Sequence, residues 1–575
     1  MAKVALTPRS RTHALEAMSD DVGLDVLVVG GGVTGAGVAL DAATRGLRTG
    51  IIEAQDWASG TSSRSSKLAH GGLRYLQMLD FALVHEALIE RNLLLSELAP
   101  HLVHKIPFLY PLKHRVWERF YVGAGVALYD ALATASRRRR ATPFHRHLTK
   151  SKLRQVFPDL REDAAHGAIQ YWDARVDDAR LVLSLIRSAV DNGALAASRT
   201  QLVGLTKNSV GAVDGAEVVD AHRDTRYRIK ARRVINATGV WTEETESLTG
   251  GEDGLKVLAS KGIHLVVPKD RIQGDKGLIL QTEKSVLFVI PWPDYWIIGT
   301  TDTPYEQDPR HPVVTKDDVD YLLEQTNAVL RTPLTHEDVI GTYAGLRPLL
   351  QPATASASTK VSREHTVASP TPGFVVIAGG KLTTYRVMAK DAVDFALGAQ
   401  AQTAPSITDQ VPLSGAEGLR AARVRARRWA KKYGWTKALS DHLVYRYGSN
   451  IDELIGLIEQ QPDLAKPLAE APTYLRAEIA HAAHFEMSLH LEDVLLHRTR
   501  LHHEAPDRGL AASDEIAQII APILGWDDQR ISEELSAYSQ RCQAEEAAAQ
   551  EVTDQAAAQM RGNVGDVTPM LSLDT

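Results

Sequence analysis

Short β-branched runs alternate with amphipathic stretches through about the first 400 residues. Residues 25–29 (DVLVV) form a compact apolar run stopped by glycines, the pattern of a buried strand. Val38, Leu40, Ala43 and Leu47 then recur at helical spacing, and a second apolar run follows at residues 49–52. Strand, helix and strand in that order predict a βαβ unit. Residues 231–235, 262–267, 286–290, 296–299 and 374–377 also read as extended, so the expected class is α/β. From about residue 405 the period lengthens to that of helices, at 419–432, 474–485 and 514–523. A separate helical domain is expected over 405–545. Residues 1–20 read as a polar lead, and 546–575, with no large apolar face, as a flexible tail.

Composition narrows the class without choosing a function. Of 575 residues, 44% are hydrophobic and 24% charged, as in ordinary globular chains. Cys542 is the lone cysteine, which excludes a disulfide framework and a cysteine metal site and fits a reducing compartment; no metal is expected. The N-terminal residues lack a signal-peptide core, and no apolar run reaches the about eighteen residues of a membrane span. Charge is segregated: the net is −6, yet residues 101–150 hold ten Lys and Arg against only Glu118 and Asp130. Within that segment Trp117, Phe120, Tyr121, Ala124, Leu128, Ala131 and Leu132 share a helical face, and four arginines follow at 137–140. Segment 110–147 is compatible either with a core helix beside a solvated basic loop or with an anionic membrane surface.

The sharpest local signal is VLVVGGGVTGAG, in which Gly30, Gly32 and Gly35 stand as G-x-G-x-x-G between strand and helix. The first glycine permits the turn, the second lets backbone approach a pyrophosphate, and the third allows close packing. Glu53 follows Gly32 by 21 residues, where an acid accepts hydrogen bonds from ribose hydroxyls. A dinucleotide site is therefore expected. Strand plus Ala-Thr-Gly at residues 232–241, with Thr238 and Gly239, is similar to the second signature of flavoproteins and favours FAD over NAD.

TSSRSSKLAHGGLRYLQ at 61–77, GLRPLL at 345–350 and AGGKLTTYR at 378–386 closely resemble the FAD-dependent glycerol-3-phosphate dehydrogenases, within the glycine and D-amino-acid oxidase superfamily. YWDARVDDARL, KGIHLVVP and FVIPWPDYWIIGTTD extend the resemblance over residues 20–400. It implies a Rossmann-like FAD domain within 21–404, an inserted β-rich substrate domain at roughly 255–335, and electron delivery to membrane quinone. It also implies cofactor contacts from Thr61, Ser62, Ser65, Lys67, Gly71, Gly72, Thr238, Gly239, Gly379, Gly380, Leu382 and Thr383. Arg74, Tyr75, Thr300, Arg347 and Lys381 would contact substrate, with Arg363 a further candidate.

Oxidising a secondary alcohol requires hydride transfer to flavin and a base for the hydroxyl proton. His70 is the first candidate base and His264 the second, since neutral imidazole suits that transfer near pH 7. Planar guanidiniums at Arg74 and Arg347 suit a substrate phosphate, and Lys381 can offset charge on the reduced ring. The implied reaction is oxidation of sn-glycerol 3-phosphate to dihydroxyacetone phosphate by a cytoplasmic enzyme, peripheral on the inner face of the cell membrane. A homodimer is compatible with the chain. An oxidase that passes electrons to dioxygen is the alternative, and a non-catalytic flavoprotein or nucleic-acid-binding module a more distant one. The basic segment is interleaved with apolar helix rather than arranged as a nucleic-acid fold, so no nucleic acid is expected.

Overall fold

In the computed structural model, residues 4–73, 80–114, 116–134, 141–250, 255–282, 286–350 and 365–571 are described. The strand Leu24–Val29 lies parallel to Thr49–Ile52 on one side and to Thr225–Asn236 on the other. Phe374–Gly379 and Leu195–Ala197 continue this sheet in parallel, and the helix Val33–Thr44 returns across it as the βαβ pattern predicts. Parallel pairing buries both faces. One face packs on Val33–Thr44, Asp178–Asp191 and Tyr385–Leu397 through Ala36, Leu40, Val182, Ile186 and Ala389.

The other face is covered in part by the helix Pro8–Met18, which corrects the expectation of a polar lead. Leu15 and Met18 are buried against Leu24, Leu27 and Ile52. Its polarity misleads because Arg11 is buried and donates to Asp220 at 2.6 Å and to the Ser198 carbonyl at 2.7 Å.

A second, largely antiparallel sheet stands beside the first and is flanked by Lys316–Asn327 on one face and by Phe81–Leu93 and Trp117–Thr134 on the other. It is not confined to residues 255–335. Val103–Pro111 pairs with Gly167–Val176, and Gly341–Leu350 pairs with Val257–Pro268, so the substrate layer is assembled from separated pieces of chain.

Helices from Leu419–Tyr433 to Asp528–Ala548 form the C-terminal unit. Buried ion pairs join it to the first sheet's layer: Arg498 grips Asp56 with both terminal nitrogens at 2.6 and 2.7 Å, and Arg180 meets Glu486 at 2.7 Å. Burying such charges is tolerable only when each finds its counter-charge, so these pairs fix how the two units meet. Beyond them the expected flexible tail instead contains the helix Asp554–Gly562, and Gln201 exchanges two hydrogen bonds with the Leu571 backbone at 2.7 and 2.8 Å. Thr568, buried, meets His490 at 3.0 Å.

Candidate active site

A cavity of about 400 Å3 runs along the C-terminal end of the first sheet and under the second. Main chain builds one end of it. Gly30 has φ +113°, and a Cβ there would lie 2.6 Å from the Ala237 carbonyl oxygen. A Cβ on Gly35 would stand 1.9 Å from the Gly30 oxygen, so this glycine seats the helix on the turn rather than lining the cavity. The start of Val33–Thr44 points its first N–H groups toward the cavity, where Ser62 Oγ accepts from Val33 at 2.9 Å. Glu53 accepts from the Gly31 N–H at 2.6 Å and the Gln55 N–H at 2.8 Å; burial raises its carboxyl above the usual range.

Side chains build the opposite end. On the strand Gly341–Leu350, Arg347 donates to Thr300 Oγ1, the Thr301 carbonyl and Asp302, each at 3.1 Å. Gly262 faces this guanidinium: a Cβ there would stand 2.4 Å from Thr300 Oγ1 and 2.8 Å from Arg347 Nη2. His264 is 2% exposed, joins Ser66 Oγ through Nε2 at 2.9 Å, and stacks on Tyr343 at 4.7 Å. Burial, reinforced by Arg347 and Lys67, drives its pKa well below that of an ordinary histidine, so the ring is neutral. Gly379 and Gly380, both at φ +79°, turn the chain so that Lys381, Leu382 and Thr383 also line the cavity. Thr383 donates to the His70 carbonyl at 3.1 Å.

The cavity thus brings together Gly30, Gly32, Glu53, Thr61, Ser62, Ser65, His70, Thr238, Gly239, His264, Thr300, Arg347, Gly379, Gly380, Lys381, Leu382 and Thr383. It does not take in Lys67, Gly71 or Gly72. Lys67 turns away because its buried ammonium ion-pairs with Asp178 and donates to the Ser63 carbonyl at 2.8 Å. The Gly71 N–H donates to Tyr129 at 2.9 Å and Asp173 at 3.1 Å, behind the wall. Arg74, Tyr75, Arg363 and the four arginines at 137–140 lie outside the described residues. Ser66, Gln201, Trp241 and Met570 line the cavity without having been expected. Trp241 stands two residues after the glycine of the Ala-Thr-Gly turn and was within reach of sequence reasoning; Met570, in the tail, carried no signal.

A glycine cradle that any Cβ would fill, an acid beside it, and a charged far end fit an elongated dinucleotide whose ring end meets an anionic substrate. The fold and site define an FAD-dependent oxidoreductase. The model of that description, FAD dependent oxidoreductase, matches residues 25–392, and that of the C-terminal domain of alpha-glycerophosphate oxidase matches 406–531. The chain is 48% identical to a glycerol-3-phosphate dehydrogenase of Mycobacterium leprae, over 94% of this chain and 92% of that one. It is 33% identical to the human mitochondrial glycerol-3-phosphate dehydrogenase, over 92% and 74%. Among solved structures, the glycerol-3-phosphate dehydrogenase of Bacillus halodurans complexed with FAD is 28% identical and superposes with a TM-score of 0.76, over 94% and 98%. The chain belongs to the FAD-dependent glycerol-3-phosphate dehydrogenase family.

Proposed function

We propose that this enzyme oxidises sn-glycerol 3-phosphate to dihydroxyacetone phosphate and delivers the electrons to membrane quinone. The observation that carries the reading is the meeting of Arg347, Thr300 and His264 in a cavity that Lys381 and the glycine cradle also line. FAD, when bound, supplies the hydride acceptor. Arg347, pre-oriented by three acceptors, binds the substrate phosphate with charge-assisted hydrogen bonds. Lys381 holds positive charge beside the ring end. His264 accepts the hydroxyl proton at Nε2, the nitrogen that meets Ser66 Oγ on the cavity wall. Its burial favours it over His70, because a base kept neutral is ready at every pH near neutrality.

The helix Trp117–Thr134 supports delivery at a membrane. Trp117, Phe120 and Tyr121 are 60%, 75% and 61% exposed, whereas Glu118 and Asp130 of the same helix are buried. The apolar face recognised in the sequence therefore points outward, beside the exposed Val116 and Phe144. Among the described residues no helix is long and apolar enough to cross a membrane, so this surface would lie on the bilayer. The enzyme should sediment with anionic vesicles, and Trp117→Ser with Phe120→Ser should release it. Stopped-flow reoxidation of the reduced enzyme tests the acceptor: the reading requires a soluble quinone to react faster than dioxygen. Faster reaction with dioxygen and stoichiometric peroxide would assign the oxidase activity instead.

A further inference from the structure

A second cavity, of about 40 Å3, lies behind the substrate end of the first. The strand Gly341–Leu350 contributes Thr342, Tyr343 and Ala344 to one wall, residues 311–314 and Arg64 contribute further lining, and the C-terminal segments supply the remainder. Arg64, Arg508, Arg541 and Arg561 line it, facing one lining carboxylate, Glu545. Arg508 meets Glu545 at 3.1 Å, and Arg541 meets Glu545 at 3.0 Å and Glu492 at 2.9 Å. Arg561, 2% exposed, donates to the Val564 carbonyl at 2.9 Å and reaches Asp566 at 3.5 Å, while its Nε, 3.9 Å from Glu545, makes no hydrogen bond among the described residues.

Arg64 has neither hydrogen bond nor ion pair for its side chain among the described residues. Burial, together with Arg541 and Arg561 and against Glu545, pushes its guanidinium down to about 10. The lining histidines do not supply the missing balance. Burial holds His502 at about 4 and His503 well below its ordinary value, and it lowers His311, so all three are neutral near pH 7. His503, 9% exposed, keeps Nδ1 without a hydrogen-bond partner among the described residues. Four guanidiniums thus converge on one lining carboxylate, with Glu492 and Asp566 behind, and buried donors remain open.

We propose that this cavity is an anion site that takes one small oxyanion of the phosphate or sulfate class, bound by Arg64 and Arg561 with His503. The space exceeds the roughly 10–15 Å3 that one water needs, yet admits nothing as large as a nucleotide. An oxyanion supplies the counter-charge that Arg64 lacks and accepts from planar donors in the geometry guanidinium favours. The site adjoins the substrate end in two ways: Arg64 lines both cavities, and one aromatic ring stands between them. Tyr343 stacks on His264 on one side and meets His503 at 5.3 Å on the other. An anion at His503 therefore braces the ring that backs the substrate-end histidine.

The test is calorimetric titration of the FAD-loaded enzyme with inorganic phosphate at constant ionic strength, with chloride as control. Arg347→Ala weakens phosphate binding at the substrate end and leaves the second cavity intact, so that variant should still bind one phosphate per chain. Adding Arg64→Gln to it should weaken this binding at least about tenfold, the loss of one charge-assisted hydrogen bond. If Arg64→Gln fails to fold, His503→Phe, which removes the donor and fills space, should give the same loss. The wild-type thermal transition should rise with phosphate and not with chloride. No phosphate binding to Arg347→Ala, or binding that His503→Phe, at a residue lining the second cavity and not the first, fails to weaken, overturns the assignment.

Discussion

The two ends of the main cavity are made of different material. At the dinucleotide end, turns at Gly30 and Gly239 and the helix start at Val33 present backbone, with Glu53 as the chief charged side chain. At the substrate end, Arg347, His264 and Thr300 present side chains held by further side chains, and Lys381 lines the same cavity. A backbone surface is defined by what cannot be added to it. A side-chain surface is defined by what cannot be taken away. Substitutions should therefore separate the two: added carbon at the first end removes cofactor, and removed charge at the second removes turnover while cofactor stays.

The largest effect should come from Gly35→Ala, because its Cβ would meet the Gly30 oxygen at 1.9 Å and backbone cannot yield cheaply. The purified variant should be nearly free of flavin by absorbance; full flavin content would break the comparison at its stronger end. Arg347→Ala comes next. Each charge-assisted hydrogen bond is worth about 1.5–3 kcal/mol, so kcat/KM should fall at least roughly tenfold with flavin content unchanged. Loss of flavin in that variant would show that the ends are not separable.

Acid should act first on the substrate end and on the cavity behind it. His264 and His503 have pKa values well below 6.5 and His502 about 4, with burial the leading cause in each. The unfolded chain binds protons below about pH 6.5 that the folded chain refuses, so stability is complete above that value and lost as pH falls toward 4. The cross-domain carboxylates act lower still: Arg180 and the neighbouring His481 keep Glu486 at about 2 against its burial. The melting temperature, followed by scanning fluorimetry, should decline between pH 6.5 and 5. A flat profile there would mean that these histidines are not buried as neutral rings.

The smallest effect belongs to the tail. Gln201→Ala removes both bonds to the Leu571 backbone and loosens the segment that brings Met570 to the cavity. Net hydrogen bonds of about 0.5–1.5 kcal/mol each predict flavin release several-fold faster, with kcat close to wild type. Unaltered release would show that the segment covers nothing.

The same contrast explains what was legible in the sequence. Gly30, Gly32, Gly35 and Glu53 stand at spacings that the backbone end dictates, and the sheet forms around them as expected. The substrate end could be reached only through resemblance, since nothing local to Arg347 or Lys381 states that they line one cavity. Lys67 sits in the same segment as Ser65 yet points away, a choice made by Asp178, distant in sequence. The second sheet defeats simple boundaries because residues 103–111 and 167–176 pair across a helix and join strands beyond residue 255. Polar composition also concealed both terminal segments: Arg11 is satisfied by Asp220, Leu571 by Gln201 and Thr568 by His490. Of the helix 117–134 the sequence showed an apolar face but not the direction it takes, which is fixed by the burial of Glu118 and Asp130.

The account rests on a substrate end that oxidises sn-glycerol 3-phosphate, and anaerobic titration of the purified flavoprotein tests it most directly. The visible absorbance of oxidised flavin should bleach with one equivalent of sn-glycerol 3-phosphate in the wild type, and slowly or incompletely in Arg347→Ala. A wild-type flavin spectrum unchanged by the substrate would contradict it.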